Sequence, residues 1–246
     1  MCTVSFCPSR EGWLLTSSRD VKLSRPKASF PVERKVGGEG MILYPEDGLA
    51  KGTWIGTNAM GVSVCLLNGA FIKHEQANSY AKSRGQVVLD LLSCHDPLTY
   101  LKADVLEGIE PFTLVFIYKE YLIEDRWDGA SLYKKNLDIH KRYLWSSVTL
   151  YKPSIISQRE LLFGQWAYDA EITEKECMAY HRTAFEELGS HNRALMSRPK
   201  EDYGTVSITC IKNISNTKTM YYQDLLVHSN VKPQCANIPV LQSKAF

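Results

Sequence analysis

The chain opens on an alternation of polar and apolar positions. Residues 3–6 (TVSF) alternate as a half-buried strand does, residues 8–12 (PSREG) have turn composition, and residues 13–17 (WLLTS) read as a second strand. Paired antiparallel about a turn centred near Arg10, these strands place Cys2 opposite Ser18, with Arg19 and Asp20 beside it. Residues 21–40 are rich in Lys, Arg, Pro and Gly and predict a long connecting loop that forms a lid or pocket wall. Residues 53–57 and 62–67 then flank Asn58-Ala59-Met60-Gly61 as a hairpin, and the second of these strands is apolar on both faces, as a covered central strand is.

Helical spacing first appears at residues 83–92, where Val87, Val88, Leu91 and Leu92 share a face and Ser83 supplies the cap. Asp96-Pro97 starts a second helix reaching about Glu107, with Gly108 as its stop. Residues 111–118 and 121–125 form another hairpin, Trp127-Asp128-Gly129 a turn, residues 132–139 a weaker strand, and residues 145–151 the start of a further one. Two helices follow. The first, over 157–170, puts Leu161, Leu162, Gln165 and Trp166 near one face; the second, over 173–188, opens with Thr173 and Glu176 as a capping box and sets Met178, His181 and Phe185 at helical spacing. Residues 205–211 and 219–225 make a last hairpin around Ser215-Asn216, and the tail from Lys232 reads as a loosely attached strand or coil. Hairpins interrupted by pairs of helices predict an α+β fold, and strands apolar on both faces fit two stacked antiparallel sheets between helix layers better than one sheet. A single domain over 1–246 accommodates all of this.

Composition narrows the function classes. With 44% hydrophobic and 11% aromatic residues the chain has the makings of a folded core. A net charge of +2, without a concentrated basic stripe, gives no footprint for nucleic acid. No apolar run is long enough for an integral membrane segment, and no basic-then-apolar leader opens the chain, so a cytoplasmic location is expected. Seven cysteines without regular spacing or a CxxC pair point to reduced thiols rather than to disulfides or zinc, and the six histidines form no HExxH pattern. No cofactor or metal is expected. Gly37, Gly38 and Gly40 lack the strand and the Lys-Ser or Lys-Thr helix that a phosphate cradle needs.

The candidate chemistry sits at the N-terminus. Removal of Met1 leaves Cys2 with a thiol nucleophile and a free α-amine on one residue, and both groups titrate near ~8 to ~8.5. Asp20 can hold the amine, and Arg19 can favour the thiolate. An α-amine tied up as the amide of a retained Met1 could not act as that base. Asn68, at the end of a buried strand before Gly69, can donate its amide to a developing oxyanion.

The segments MCTVSF, LLTSSRD, KGTWIGTNAMGVSVCLLNGAF, WSSVTLY and SRPKEDYGTVSIT, in that order, resemble the NRDE family, also called the transport and Golgi organization protein 2 family. The resemblance runs over roughly residues 1–226. The name-giving Asn-Arg-Asp-Glu falls here on Ser18-Arg19-Asp20-Val21, so the Arg and Asp are kept and the other two are not. That family is similar to cysteine N-terminal nucleophile hydrolases of the choloylglycine hydrolase and penicillin V acylase type, which implies a four-layer αββα sandwich.

The resemblance also implies a catalytic set of Cys2, Arg19, Asp20 and Asn68 with a late arginine, Arg198 or else Arg193. Trp54 falls in the resembling segment KGTWIG and is a substrate-binding candidate. Ser146 and Ser147 stand where the acylases carry a second oxyanion-side Asn, and a freely rotating hydroxyl is a poorer fixed donor than an amide. Two activities follow as expectations: hydrolysis of a non-peptide C–N amide bond in a small molecule, or binding and trafficking of a hydrophobic metabolite such as haem or acyl-CoA without turnover, linked to secretory or Golgi organisation. The oligomeric state is left open.

Overall fold

The opening alternation builds a hairpin. In the computed structural model, which describes residues 3–35, 40–168, 171–183, 203–215, 217–226 and 233–241, β1 (Thr3–Ser9) pairs antiparallel with β2 (Gly12–Lys22). The turn is tighter than expected, with Ser9 opposite Gly12, so Ser18 faces Thr3 rather than Cys2. Pro8, expected in the turn, sits inside β1, past the point where β10 (Tyr143–Ser146) stops pairing at Phe6, so its missing N–H breaks no ladder on that side.

Among the described residues thirteen strands form two antiparallel sheets. The first has the order β10-β1-β2-β11-β12-β13, with β11 (Tyr203–Ile214), β12 (Thr217–Asp224) and β13 (Gln234–Pro239); the predicted loose tail is thus the paired edge strand β13. The second runs in sequence order from β3 (Val32–Lys35) through β4 (Met41–Tyr44), β5 (Ile55–Asn58), β6 (Ser63–Asn68), β7 (Phe112–Tyr118) and β8 (Tyr121–Trp127) to β9 (Leu132–Leu137). Strand β3 interrupts the loop expected over 21–40. It is a short, exposed edge strand whose charged residues gave no apolar signal.

Three apolar layers hold the sheets and helices together. Val4, Phe6, Trp13, Leu15 and Ile211 of the first sheet interdigitate with Ile55, Cys65, Leu67, Val115 and Ile117 of the second. Each large side chain so removed from water contributes about 1.5–3 kcal/mol. Helix α1 (Arg84–Ser93), capped by Ser83 accepting from the Gln86 amide, covers the outer face of the second sheet with the four residues its spacing predicts. The helix expected after Asp96 is instead a single turn, α2 (Pro97–Tyr100), and a separate 3-10 turn at Asp104–Leu106, because the chain extends at Leu101 so that Leu101 and Leu106 both enter the layer under α1.

Helices α3 (Pro153–Trp166) and α4 (Glu174–Thr183) cover the outer face of the first sheet. The capping box forms as predicted, Thr173 N–H to Glu176 Oε2 at 2.7 Å and Glu176 N–H to Thr173 Oγ1 at 3.3 Å. The buried face of α3 is not the expected one. Leu161 is 62% exposed, and the helix turns Phe163 and the guanidinium of Arg159 inward. A count of apolar positions misses a helix whose anchor is charged. No helix among the described residues is long and apolar enough to cross a membrane.

Candidate active site

Alternation along β2 sorts its residues onto two faces. Trp13 and Leu15 enter the layer between the sheets, and Arg19 continues that face; Leu14, Ser18 and Asp20 lie on the side of α3 and α4. Arg19 is 2% exposed and lies over the Trp54 ring, 4.6 Å from its centroid. It donates from Nη2 to Asp47 Oδ2. The same carboxylate accepts from Arg25 Nε (2.9 Å) and Nη2 (2.7 Å) and from the amides of Leu49 (3.1 Å) and Ala50 (2.8 Å). Burial would raise the Asp47 pKa, but Arg25, the Ala50 amide and Arg19 together hold it well below the usual carboxylate range. One carboxylate therefore serves two guanidinium groups, leaving an excess of positive charge at this corner.

These groups line a cavity of about 380 Å³ that also meets Asn68, Arg84 and Glu110. Asn68 ends β6 where the chain turns at Gly69, whose φ of +81° suits glycine; a Cβ there would also come within 2.6 Å of Val148 Cγ2. Ser147 ties the sheets at this point, donating from Oγ to the Asn68 carbonyl at 2.8 Å. Of the residues singled out from sequence, Arg19, Trp54 and Asn68 share this cavity. Ser146 and Ser147 line a separate cavity of about 50 Å³ with Gly69, Arg126 and Glu160. Ser146 is the register partner of Thr3 on the side away from β2. Asp20, on the opposite face from Arg19, accepts from its cross-strand neighbour, the Thr205 hydroxyl. Cys2, Arg193 and Arg198 lie outside the described residues.

Two participants gave little signal in the sequence. Asp47 stands in Pro45-Glu46-Asp47-Gly48, which reads as a turn, and Arg25 stands among the basic residues of a connection. Among the described residues no group of three or more His, Cys, Asp or Glu side chains is disposed to hold a metal ion.

A sequence profile described as Transport and Golgi organisation 2 matches residues 1–152, which include β1, β2, the cavity and β10. The chain belongs to that family. The Transport and Golgi organisation 2 match thus covers Arg19, Asp47, Trp54 and Asn68 together. No match is found among curated proteins. Two solved structures align over nearly the whole chain: variants of a conjugated bile acid hydrolase from Clostridium perfringens, one with a cysteine replaced by alanine and one with an arginine replaced by leucine. The first shares 11% identity and the second 12%; each alignment covers 97% of this chain and 92% of the other, with TM-scores of 0.51 and 0.58. At such identity the likeness is one of fold, and the Transport and Golgi organisation 2 chain has the αββα sandwich of N-terminal nucleophile hydrolases.

Proposed function

We propose that this protein hydrolyses a non-peptide C–N amide bond of a small molecule, with Cys2 as nucleophile after removal of Met1. Sγ of Cys2 forms a bond to the substrate carbonyl carbon while its proton passes to the α-amine. The tetrahedral oxyanion is met by the Asn68 amide, and the C–N bond breaks as the amine returns the proton to the leaving nitrogen. Water then hydrolyses the thioester, releasing the acid and restoring the thiol. Arg19 favours the thiolate, Asp20 restrains the N-terminal segment, Trp54 forms an apolar wall, and Arg198 or Arg193 supplies the late arginine.

The observation that carries this reading is the cavity itself. Arg19, Trp54 and Asn68, chosen from sequence for three different roles, line one space of about 380 Å³ where two guanidinium groups, that of Arg19 buried and that of Arg25 partly exposed, share one carboxylate. The two bile acid hydrolase structures compared above are variants, one altered at a cysteine and one at an arginine, which agrees with the residue types chosen here.

The test is turnover of fluorogenic N-acyl amides by full-length protein whose intact mass confirms loss of Met1. Hydrolysis abolished in Cys2→Ala supports the proposal. Binding of such amides, of haem or of acyl-CoA without turnover, and unchanged in Cys2→Ala, would replace it with the carrier reading.

A further inference from the structure

Away from the Arg19 cavity, a cleft of about 910 Å³ opens at the edge of the first sheet, where β10 is the last strand and, among the described residues, no strand pairs with it on the side away from β1. Tyr143, Leu144 and Trp145 all line this cleft. Successive side chains of a strand point to opposite faces, and here Tyr143 and Trp145 belong to the layer between the sheets while Leu144 belongs to the layer under α3 and α4. A cleft that meets all three runs along the edge of the strand, with the main chain as its floor. Pro8 of β1 closes the floor at the Tyr143 end, where it offers no N–H.

Two walls flank this floor. On one side stand Glu124 and Arg126 of β8 and Lys135 of β9, and Trp145 Nε1 donates to Glu124 Oε2 at 2.5 Å, which fixes that wall against β10. On the other side stands α3, and there the chain leaves space. Gly164 lies exposed inside the helix, and a Cβ built on it would meet nothing within 4 Å. Glycine inside a helix is less favourable than alanine, and no close approach among the described residues asks for it here. Tyr168, just past the helix, is 77% exposed on the same cleft. An open glycine and an exposed aromatic ring beside an unpaired strand edge leave room and apolar surface for a further chain segment.

Charge selects the kind of segment. The lining side chains bring four cations, Arg126, Lys135, Lys141 and Arg142, against two carboxylates, Glu124 and Glu160. Arg126 is paired with Glu124 at 2.9 Å, and Lys141 lies 3.7 Å from Asp138 outside the cleft, so the positive surplus is modest and sits at the rim. Lys135 and Lys141 of that rim are both exposed.

We propose that the free edge of β10 takes an extended acidic peptide segment as a further strand of the first sheet. Main-chain hydrogen bonds to β10 supply the affinity, alternate acidic side chains meet the rim at Lys135 and Lys141, and the segment passes over Gly164. Four residues of strand span about 13 Å, so a segment of about six residues covers the floor and both its ends. The same cations disfavour a basic segment and keep the bare edge from pairing with another copy of the chain. This site is independent of Cys2.

The experiment follows, by fluorescence anisotropy with full-length protein, a fluorescein-labelled peptide of about six residues that alternates glutamate and valine. Saturable binding is expected, weakened about tenfold between about 50 and 300 mM salt. A matched peptide with lysine in place of glutamate should not bind. Of two acidic peptides carrying N-methyl groups on one or the other alternate set of residues, one should bind and the other should not, because a strand pairs through one edge only. Lys135→Gln should weaken binding about threefold. Gly164→Leu fills the space over α3 with a better helix former, so it should weaken binding about tenfold with the urea midpoint unchanged or raised. If Gly164→Leu does not fold, Gly164→Ala takes its place, with an expected loss of about threefold.

Absence of saturable binding at about 1 mM peptide overturns the proposal. So does equal binding of the two methylated peptides, or an affinity indifferent to Gly164→Leu, or to Gly164→Ala where that variant stands in. Competition by free glutarate as strong as by the unlabelled peptide overturns it as well, because the cleft would then be a site for small anions.

Discussion

The two faces of β2 bury charge in opposite ways. On the inner face Arg19 meets Asp47, which also takes Arg25, and the group borders a cavity of about 380 Å³. On the outer face Arg159 and His181 meet hydroxyls of Thr3, Ser5 and Ser18 beneath two helices. The inner carboxylate is held ionised by two guanidinium groups, whereas on the outer face burial first and the Arg159 charge second keep the His181 ring neutral, with one N–H and one lone pair for the two serines. The inner face is therefore held by ionised groups beside a cavity, and the outer face by hydroxyls that bond a neutral imidazole and a guanidinium.

The largest effect that would test this contrast is expected at the inner face. Asp47→Ala strands two guanidinium groups, one of them 2% exposed, and should cost about 3–5 kcal/mol in urea unfolding. If the loss is under about 1 kcal/mol, the ion-paired account of this face is wrong. Adding Arg19→Leu to Asp47→Ala should recover part of the loss, because the buried unpaired charge goes with it.

Asp125 shows what a carboxylate does here without cations in bonding reach. It is fully buried on β8, neither oxygen has a hydrogen-bond partner among the described residues, and burial pushes it up from the ordinary 3.8 of an aspartate to about 6, with Lys134 lowering it and Glu124 raising it. As pH rises past about 4 the unfolded chain releases this proton while the folded chain keeps it, so stability falls until about pH 6 and is then level. Asp125→Asn should therefore be more stable than the wild type by about 3 kcal/mol at pH 8, with the gain vanishing at pH 4. An equal difference at both pH values would contradict this.

The outer face should respond in the reverse sense to acid. Because the folded pKa of His181 is lowered to about 3, the stability it contributes is complete above the ordinary ~6.5 and is lost as pH falls toward 3. Between pH 7 and 5 this group should cost the wild type about 2 kcal/mol, and His181→Gln should flatten that slope. Urea midpoints at the two pH values decide it. The smallest effect is expected at the joint between the sheets, where Ser147→Ala removes the bond to the Asn68 carbonyl and should cost about 1 kcal/mol.

Sequence pattern revealed much of this architecture for a local reason. The β1–β2, β5–β6 and β7–β8 hairpins are period-two alternations or apolar runs closed by short turns, and the caps at Ser83 and Thr173 are signals within three residues. What pattern missed depends on distant partners. Arg159 looks like a surface arginine until Thr3, 156 positions away, is placed against it, and Asp47 looks like a turn residue until Arg19 and Arg25 fold over it. The same is true of the site: residue type and strand position gave Arg19 and Asn68 and the family resemblance gave Trp54, but the carboxylate that holds Arg19 appears only when the two sheets are stacked.

The central claim, that the cavity beside Arg19 serves an acyl transfer to Cys2, is tested most directly by the rate and place of covalent acylation. Full-length protein lacking Met1 would be incubated with a β-lactam or activated N-acyl amide and followed by intact mass, with the adduct located on the N-terminal peptide. The account expects one acyl group on Cys2, none in Cys2→Ala, and acylation slowed about 100-fold in Arg19→Leu. Acylation at another residue, or at Cys2 with a rate unchanged in both Arg19→Leu and Trp54→Ala, would contradict it.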